Sequence, residues 1–524
     1  MNGLLPHRSP FSSTHLPVDK ALRTVKMAAI ASNVNVEENG ASVLLSEPAG
    51  DEPFIVERTG VSNDKFLSKS TKFTVKGHNF RRQFSHLYFK RLEALQPRVS
   101  QQTKTKFPQA KYVDRVIELK AGEEVYAVTG TLYKHMKLKP CVLDEYTNEA
   151  ILQGLPPPKA NYTNEEDSLI LEDGSGRVTL VLSESCDITV DELVSGVVAG
   201  VCGTITGTGE LHVSGMCFAG MPSRHSSDST AQKITDADGN SSLTDDQLVL
   251  FVSGMSLGGV QDDIQRLQLN LLCDYISGHV GSPTETQNTS SKISRVIVVG
   301  DTIRKPAPRD DRKAISREEQ ELMAAPLREA DSIFAQIARS VPIDVMPGDS
   351  DPSNLSLPQQ PLHNCLFPRS SGYKDSFHTV TNPYRFQAEN VNFLGHSGQP
   401  VSNIKKFSNF SNDLDVLQRT LEWQHLAPTA PDTLACYPFY KRDPFVLDDK
   451  LCPHVLFSGN MDSYDDRLIK GENGQMVRLI AIPKFSESRS VVLLNLKTLE
   501  SSEMTFELDG MKAETAKRDV VVEP

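Results

Sequence analysis

Residues 296–301, Val-Ile-Val-Val-Gly-Asp, form an unbroken apolar run that ends on a glycine and an aspartate. A strand with one wet face alternates polar and apolar residues. This run does not alternate, so both of its faces must be covered. Similar strands are predicted at 248–253, 341–346, 391–394 and 454–458, and the apolar runs 477–482 and 491–496 read as a closing hairpin. Helical periods lie among them. Ile264, Leu267, Leu271 and Ile276 make one; residues 316–339, interrupted at Pro326, make a second; Leu414, Leu417 and Leu421 lead to His425 in a third. Covered strands with interleaved helices predict an α/β layered sheet over residues 247–498.

The first half has a different grain. Between 113 and 220 lie short strands with glycine turns: 113–119, 124–133, a hairpin over 167–182 around Gly174 and Gly176, then 197–205 and 210–218. Their order predicts a small closed Greek-key barrel, the OB-fold. Before it, Phe84, Leu87, Tyr88, Leu92 and Leu95 recur at helical spacing within 79–95. Arg81, Arg82, Lys90 and Arg91 fall outside that stripe and read as a solvated face. At 524 residues the chain exceeds one compact core. The fold class is therefore α+β multidomain: a tail over 1–78, largely disordered with short docking pieces; a helix and OB barrel over 79–222; a polar linker over 223–246; the layered domain over 247–498; and a charged tail over 499–524.

A net charge of −12 argues against polyanion binding over the whole surface. Eight scattered cysteines without a Cys-x-x-Cys pair give no zinc-finger or disulfide framework and fit a reducing compartment. No apolar run reaches the length of a membrane span. OB barrels often bind single strands by stacking bases on aromatic residues in a basic groove. Here the strands offer few aromatics (Tyr126, Tyr133), and acids crowd the hairpin from Glu165 to Asp173, which favours protein over nucleic acid. Pro428, Pro431, Pro438 and Pro444 stiffen a run that carries Leu434, Tyr437, Phe439, Tyr440 and Phe445; it suits an interface anchor or an internal plug.

Sites in layered α/β sheets form beyond the carboxyl ends of strands. The loops there read, in chain order, Ser253-Gly254-Met255-Ser256, Gly300-Asp301, Gly348-Asp349-Ser350-Asp351, then His425, then Gly459-Asn460-Met461-Asp462. This order resembles the calcineurin-like phosphoesterases, whose ligands are Asp-x-His, Gly-Asp, Gly-Asn-His, a lone His and Gly-His-x-His. The resemblance is to the order and not to the ligands. Gly254 and Ser256 stand for Asp and His, Asp349 and Ser350 for Asn and His, and Asn460 and Asp462 for the last two histidines. Only Asp301, Asp349 and His425 keep donors that suit a dication, and two close dications need more. No catalytic residue, metal ligand or cofactor site is expected. His396, in Gly395-His396-Ser397-Gly398, imitates half of the last motif in the wrong place and reads as a loop residue.

An OB barrel ahead of a degenerate phosphoesterase domain resembles the B-subunit family of replicative DNA polymerases. The stretches 341–352, 357–363, 381–384, 393–399, 425–439 and 452–460, with 88–92, 123–132 and 169–173, are similar to its delta branch. Over residues 75–495 the resemblance implies a non-catalytic nuclear subunit. Such a subunit grips the C-terminal metal-binding region of the catalytic chain, recruits a third subunit, and reaches DNA mainly through the complex, with no membrane partner. Two competing readings remain: a metal-dependent phosphoesterase or exonuclease with unusual ligands, and a single-strand-binding module acting through the barrel.

Overall fold

The computed structural model describes residues 58, 66–77, 79–140, 159–223, 246–258, 263–280, 286–305, 316–447, 452–471 and 474–506. The expected linker at 223–246 lies outside the described residues except at its two ends, as do most of the N-terminal tail and the tail from residue 507. Parts of both expected tails are built into the body. β1 (Phe66–Ser68) pairs as an edge strand, and Arg58 donates to the carbonyls of Ser290, Ile293 and Ile276.

Helix α1 (Ser85–Lys106) runs a further three turns past the predicted end, through Pro97. Its buried stripe is Leu87, Arg91, Leu95, Val99 and Thr103, four residues apart, and lies against the barrel. Arg91 therefore belongs to the inner face and not to the solvated one.

The barrel follows. β2 (Lys111–Val113) lies parallel beside β3 (Val125–His135). Of the predicted strand 113–119 only Val113 lies in a strand; beyond it the Asp173 carboxylate accepts the Val116 N–H at 2.8 Å and residues 116–118 form a 3-10 helix. β3, β4 (Ser168–Glu172), β5 (Arg177–Leu182), β7 (Leu211–Cys217) and β6 (Val198–Ile205) are neighbours in that order, and β6 closes back onto β3. This closed sheet is the expected OB-fold.

The second half is a sandwich of two mixed sheets between helices. Its elements are β8 (Leu248–Val252), α2 (Asp263–Ser277), α3 (Thr286–Ser291), β9 (Ile293–Val299), α4 (Arg317–Ala338), β10 (Ile343–Met346), β11 (Phe377–Thr379), β12 (Tyr384–Ala388), β13 (Val391–His396), α5 (Gln399–Lys406), α6 (Asp413–Glu422), β14 (Val455–Met461), β15 (Asp465–Lys470), β16 (Met476–Pro483), α7 (Phe485–Ser488), β17 (Ser490–Asn495) and β18 (Ser501–Thr505). One sheet is β11-β10-β9-β8-β17-β18 and the other β1-β12-β13-β14-β16-β15, each with a parallel centre.

The apolar strands have two covered faces, as expected. Val249, Phe251, Ile297 and Val299 meet Phe386, Phe393, Phe457 and Ile480 between the sheets. Leu250, Val252, Val296 and Val298 face Leu269, Leu272, Ile333 and Phe334 of α2 and α4. The outer side of the other sheet buries Leu394, Leu456 and Leu479 with Val401, Leu417, Leu421 and Trp423, in a cluster that runs on into barrel residues Val128, Leu193 and Val197. Barrel and sandwich thus share one core.

The expected hairpin 477–482 with 491–496 does not form. β16 lies in one sheet, parallel to β14, and β17 in the other, antiparallel to β8. The chain crosses between sheets through α7 and Arg489, whose φ is 60°. Both strands are interior and apolar on both faces, so their pattern carries no information on which sheet each joins. Within the proline-rich run Tyr437 and Phe445 are buried, while Tyr440 is exposed, so this run plugs its own chain. Trp423 is buried. Among the described residues no helix is long and apolar enough to cross a membrane.

Candidate functional site at the strand ends

The carboxyl ends of β8, β9 and β10 in one sheet meet those of β13 and β14 in the other. The approach is close. A Cβ on Gly254 would lie 2.8 Å from Asn460 Oδ1, one on Gly300 would lie 2.5 Å from Ser397 Cβ, and one on Gly348 would lie 2.2 Å from Asp301 Oδ1. Three non-glycine residues here, Ser256, Asp301 and Asn460, hold φ between 49° and 60°. Left-handed backbone costs an L-residue about 1–2 kcal/mol, and such strain gathers at sites whose geometry was selected.

Hydrogen bonds inside the cluster engage Asp301, Ser350 and the Asn460 N–H groups, while the buried Asn460 Oδ1 has no partner among the described residues. The Ser350 N–H and hydroxyl both donate to Asp301 Oδ1 at 3.0 Å. Burial raises the Asp301 carboxyl above its ordinary range, against these two bonds. The Ser256 N–H donates to the Asp301 carbonyl at 3.1 Å, and the Gly254 N–H to that of Gly300 at 3.0 Å. Asn460 sits at a bulge in β14; its N–H donates to Ser253 Oγ at 3.0 Å and its Nδ2 to the Ser397 carbonyl at 2.8 Å.

Two of the three remaining predicted positions, Asp349 and Asp462, lie at the rim. Asp349 is exposed and pairs with Lys305 at 3.1 Å. The Asp462 side chain is 79 % exposed, with Lys405 at 3.8 Å and Lys484 at 4.0 Å. These three lysines oppose the accumulation of positive charge that a dication pair would need. Gly254 supplies no donor, and Ser256 and Asn460 supply neutral ones, so the donor set fits a metal pair poorly. Among the described residues no group of three or more His, Cys, Asp or Glu is arranged to hold a metal ion.

His425 is bonded elsewhere. Its Nδ1 accepts from the Ala427 N–H at 3.1 Å, which leaves Nε2 to donate to Asp443 Oδ2 at 2.9 Å. Burial, with Arg91 nearby, pushes the ring down to about 4, so it is neutral. Asp443 in turn takes Arg91 Nε at 2.9 Å. The remaining guanidinium donors of Arg91 reach the carbonyls of Gly196, Pro428 and Ala430 at 3.0, 2.6 and 2.5 Å. Burial disfavours the charge of Asp443, but His425 and Arg91 hold its carboxyl well below the usual range. His425 is therefore part of a buried ionic knot that ties α1, the barrel and the sandwich together. Its place in the order of loops suggested a ligand; its partners come from tertiary packing that chain order does not reveal.

His396, read as a loop residue, instead ends β13 and is fully buried. Its Nδ1 accepts from the Gly398 N–H at 3.2 Å, Nε2 has no partner among the described residues, and burial pushes the ring down to about 3.

The sequence reading also missed the struts beneath the loops. Asp351 accepts the Gly348 N–H at 2.8 Å and the Ile303 N–H at 3.1 Å, which joins the loops after β9 and β10. Burial and the neighbouring Asp301 raise its carboxyl to about 7. Asn382 Nδ2 donates to Gln359 Oε1, Ser397 Oγ and Gln399 Oε1 at 2.8, 2.7 and 2.9 Å. The second acid of Gly348-Asp349-Ser350-Asp351 was a usable signal, because Asp commonly accepts nearby N–H groups in turns. The amides gave no signal of their own.

Comparison with known proteins agrees with this architecture. The family model described as DNA polymerase delta subunit OB-fold domain matches residues 83–216, and that for the B subunit of DNA polymerase alpha/epsilon matches residues 249–466. The DNA polymerase delta small subunit of Arabidopsis thaliana is 40 % identical over 84 % of this chain and 95 % of its own. That of Oryza sativa subsp. japonica is 39 % identical over 84 % and 97 %, and DNA polymerase delta subunit 2 of Drosophila melanogaster is 32 % identical over 85 % and 98 %. With these likenesses spanning both the barrel and the sandwich, the chain belongs to the DNA polymerase delta small-subunit family.

Proposed function

We propose that this chain is a non-catalytic scaffold subunit of the nuclear DNA polymerase delta complex. It binds the C-terminal metal-binding region of the catalytic subunit and recruits a third accessory subunit for replication and repair synthesis. It reaches DNA mainly through the complex and uses no metal, cofactor or membrane of its own. The sandwich is a calcineurin-like phosphoesterase domain that has lost its chemistry while keeping its shape. One observation carries this reading: Asp301, the carboxylate aimed by the apolar strand β9, is held by the N–H and hydroxyl of Ser350, opposite a glycine and an amide. A carboxylate so engaged, beside neutral partners, stabilises loops instead of a dication.

The test is capture of the catalytic subunit's purified C-terminal region by the full chain. Equal capture by the unaltered chain and by Asp301→Ala is expected. Failure of the unaltered chain to capture it overturns the proposal.

A further inference from the structure

We propose that the groove between α1 and barrel strands β3 and β4 receives a segment of a partner chain carrying one large apolar side chain with Lys or Arg beside it. This inference rests on the accessory-subunit reading and specifies one of its docking surfaces. Helix α1 completes its inward stripe with Leu87, Arg91, Leu95, Val99 and Thr103. Aromatic rings nevertheless face outward here: Phe89 of the helix is 56 % exposed and Phe84, the residue before it, 43 %. Beside Phe89 opens a groove of about 400 Å³, floored by Tyr88, Leu92 and Leu132 and walled by Tyr133. That volume suits a large side chain and its flanking backbone more than a whole domain.

Charge selects among possible occupants. The charged residues that line the groove are all acids: Glu172, Asp173 and Asp432. Arg177, at 3.4 Å from Glu172, and Lys139, at 2.6 Å from Asp432, approach from outside the lining. The Asp173 carboxyl is lowered, against burial, by bonds from Ser175, Val116 and Gly176, and stays ionised. With Glu172 and Asp432 paired in this way, Asp173 carries the uncompensated negative charge of the lining, which disfavours phosphates and draws in a cationic segment. An apolar anchor that displaces water from the floor, with Lys or Arg meeting the acidic rim, is the arrangement of a small interface hot spot.

The experiment places a benzophenone photo-crosslinking residue at position 89 of the full chain. The chain is assembled with the catalytic and third subunits, irradiated, and the linked peptides are sequenced by mass spectrometry. The expected product joins residue 89 to a partner segment in which a large apolar residue lies within a few positions of Lys or Arg. Phe89→Ala and Glu172→Lys should each weaken binding of that partner about tenfold or more. Both positions lie outside the buried core, and circular dichroism of each variant checks folding. An assembled complex with no partner link, or with links only to a second copy of this chain, to DNA, or to an acidic segment, overturns the docking proposal and leaves the scaffold reading intact. Failure of the unaltered chain to assemble overturns both.

Discussion

Asp443→Asn is the sharpest test of how the two halves are joined. The substitution keeps the shape of the side chain and removes its charge. Arg91 is fully buried, and its counter-ion in the described structure is Asp443. Its other donors end on the neutral carbonyls of Gly196, Pro428 and Ala430. Removing one partner of a buried pair leaves an uncompensated charge and costs about 3–5 kcal/mol. At about 4 kcal/mol the unfolded fraction rises about 800-fold, since each 1.4 kcal/mol is about a factor of ten. With a slope of about 3 kcal/mol per molar urea, the midpoint should fall by about 1.3 M. Trp423, the chain's single tryptophan, lies in the core shared by barrel and sandwich and reports the transition by fluorescence. The sign with pH is also fixed. The folded carboxyl of Asp443 lies below its unfolded value of about 3.9, so its contribution is complete above that value and is lost as pH falls through the lower folded one. The penalty should therefore hold undiminished from pH 8 to pH 5. A midpoint within 0.2 M, roughly 0.6 kcal/mol on that slope, of the unaltered chain would refute the knot.

Three further outcomes follow from the same geometry. Val298→Asp should abolish soluble folded protein, because Val298 is fully buried in β9 and an unpaired carboxylate there costs about 4 kcal/mol or more; normal yield with a native circular dichroism spectrum would contradict the sheet. His396 has a folded value of about 3 against about 6.5 unfolded, so its contribution is complete above about pH 6.5 and falls with acidification, by about 3 kcal/mol at pH 4. In His396→Asn the amide oxygen replaces Nδ1 as acceptor for the Gly398 N–H, and urea titrations at pH 7 and pH 4 should show a smaller acid loss than in the unaltered chain; an equal loss would contradict it. Asp351→Asn should cost more at pH 5 than at pH 8, because the raised folded value of about 7 makes the acid's contribution greatest below its unfolded value and smaller as pH rises through 7; the reverse order would contradict it.

What the sequence made legible was the interior. β8 and residues 296–299 of β9 are apolar on both faces, and that pattern needs no tertiary knowledge to read, whereas the buried Arg295–Asp344 pair of β9 and β10 left no such trace. The barrel strands were legible through alternation and glycine turns. Apart from the hairpin expected of β16 and β17, whose interior apolar pattern does not say which sheet each joins, the misses share one cause: edges and long-range polar contacts leave little periodic trace. β1, β15 and β18 are short or half-exposed edge strands, and β15 reads Asp-Asp-Arg-Leu-Ile-Lys, the charged composition that keeps edges from pairing. Arg91 looked solvated because a cation on a helix usually is; its buried fate depends on Asp443, 352 residues away. At the strand ends, the positions of Gly254, Asp301, Asp349 and Asn460 followed from strands delivering loops to one edge. The Gln359–Asn382–Ser397–Gln399 network did not, because amides and hydroxyls are common everywhere and only proximity makes them a unit.

The most direct measurement of the central claim is hydrolysis. The purified full chain is incubated with manganese and either single-stranded DNA or an aryl phosphate diester, with metal content determined in parallel. With Asp301 held by Ser350 and with Gly254, Ser256 and Asn460 around it, the account predicts no turnover above the metal-only control and no stoichiometric bound metal. Manganese-dependent hydrolysis that disappears in Asp301→Ala would contradict it.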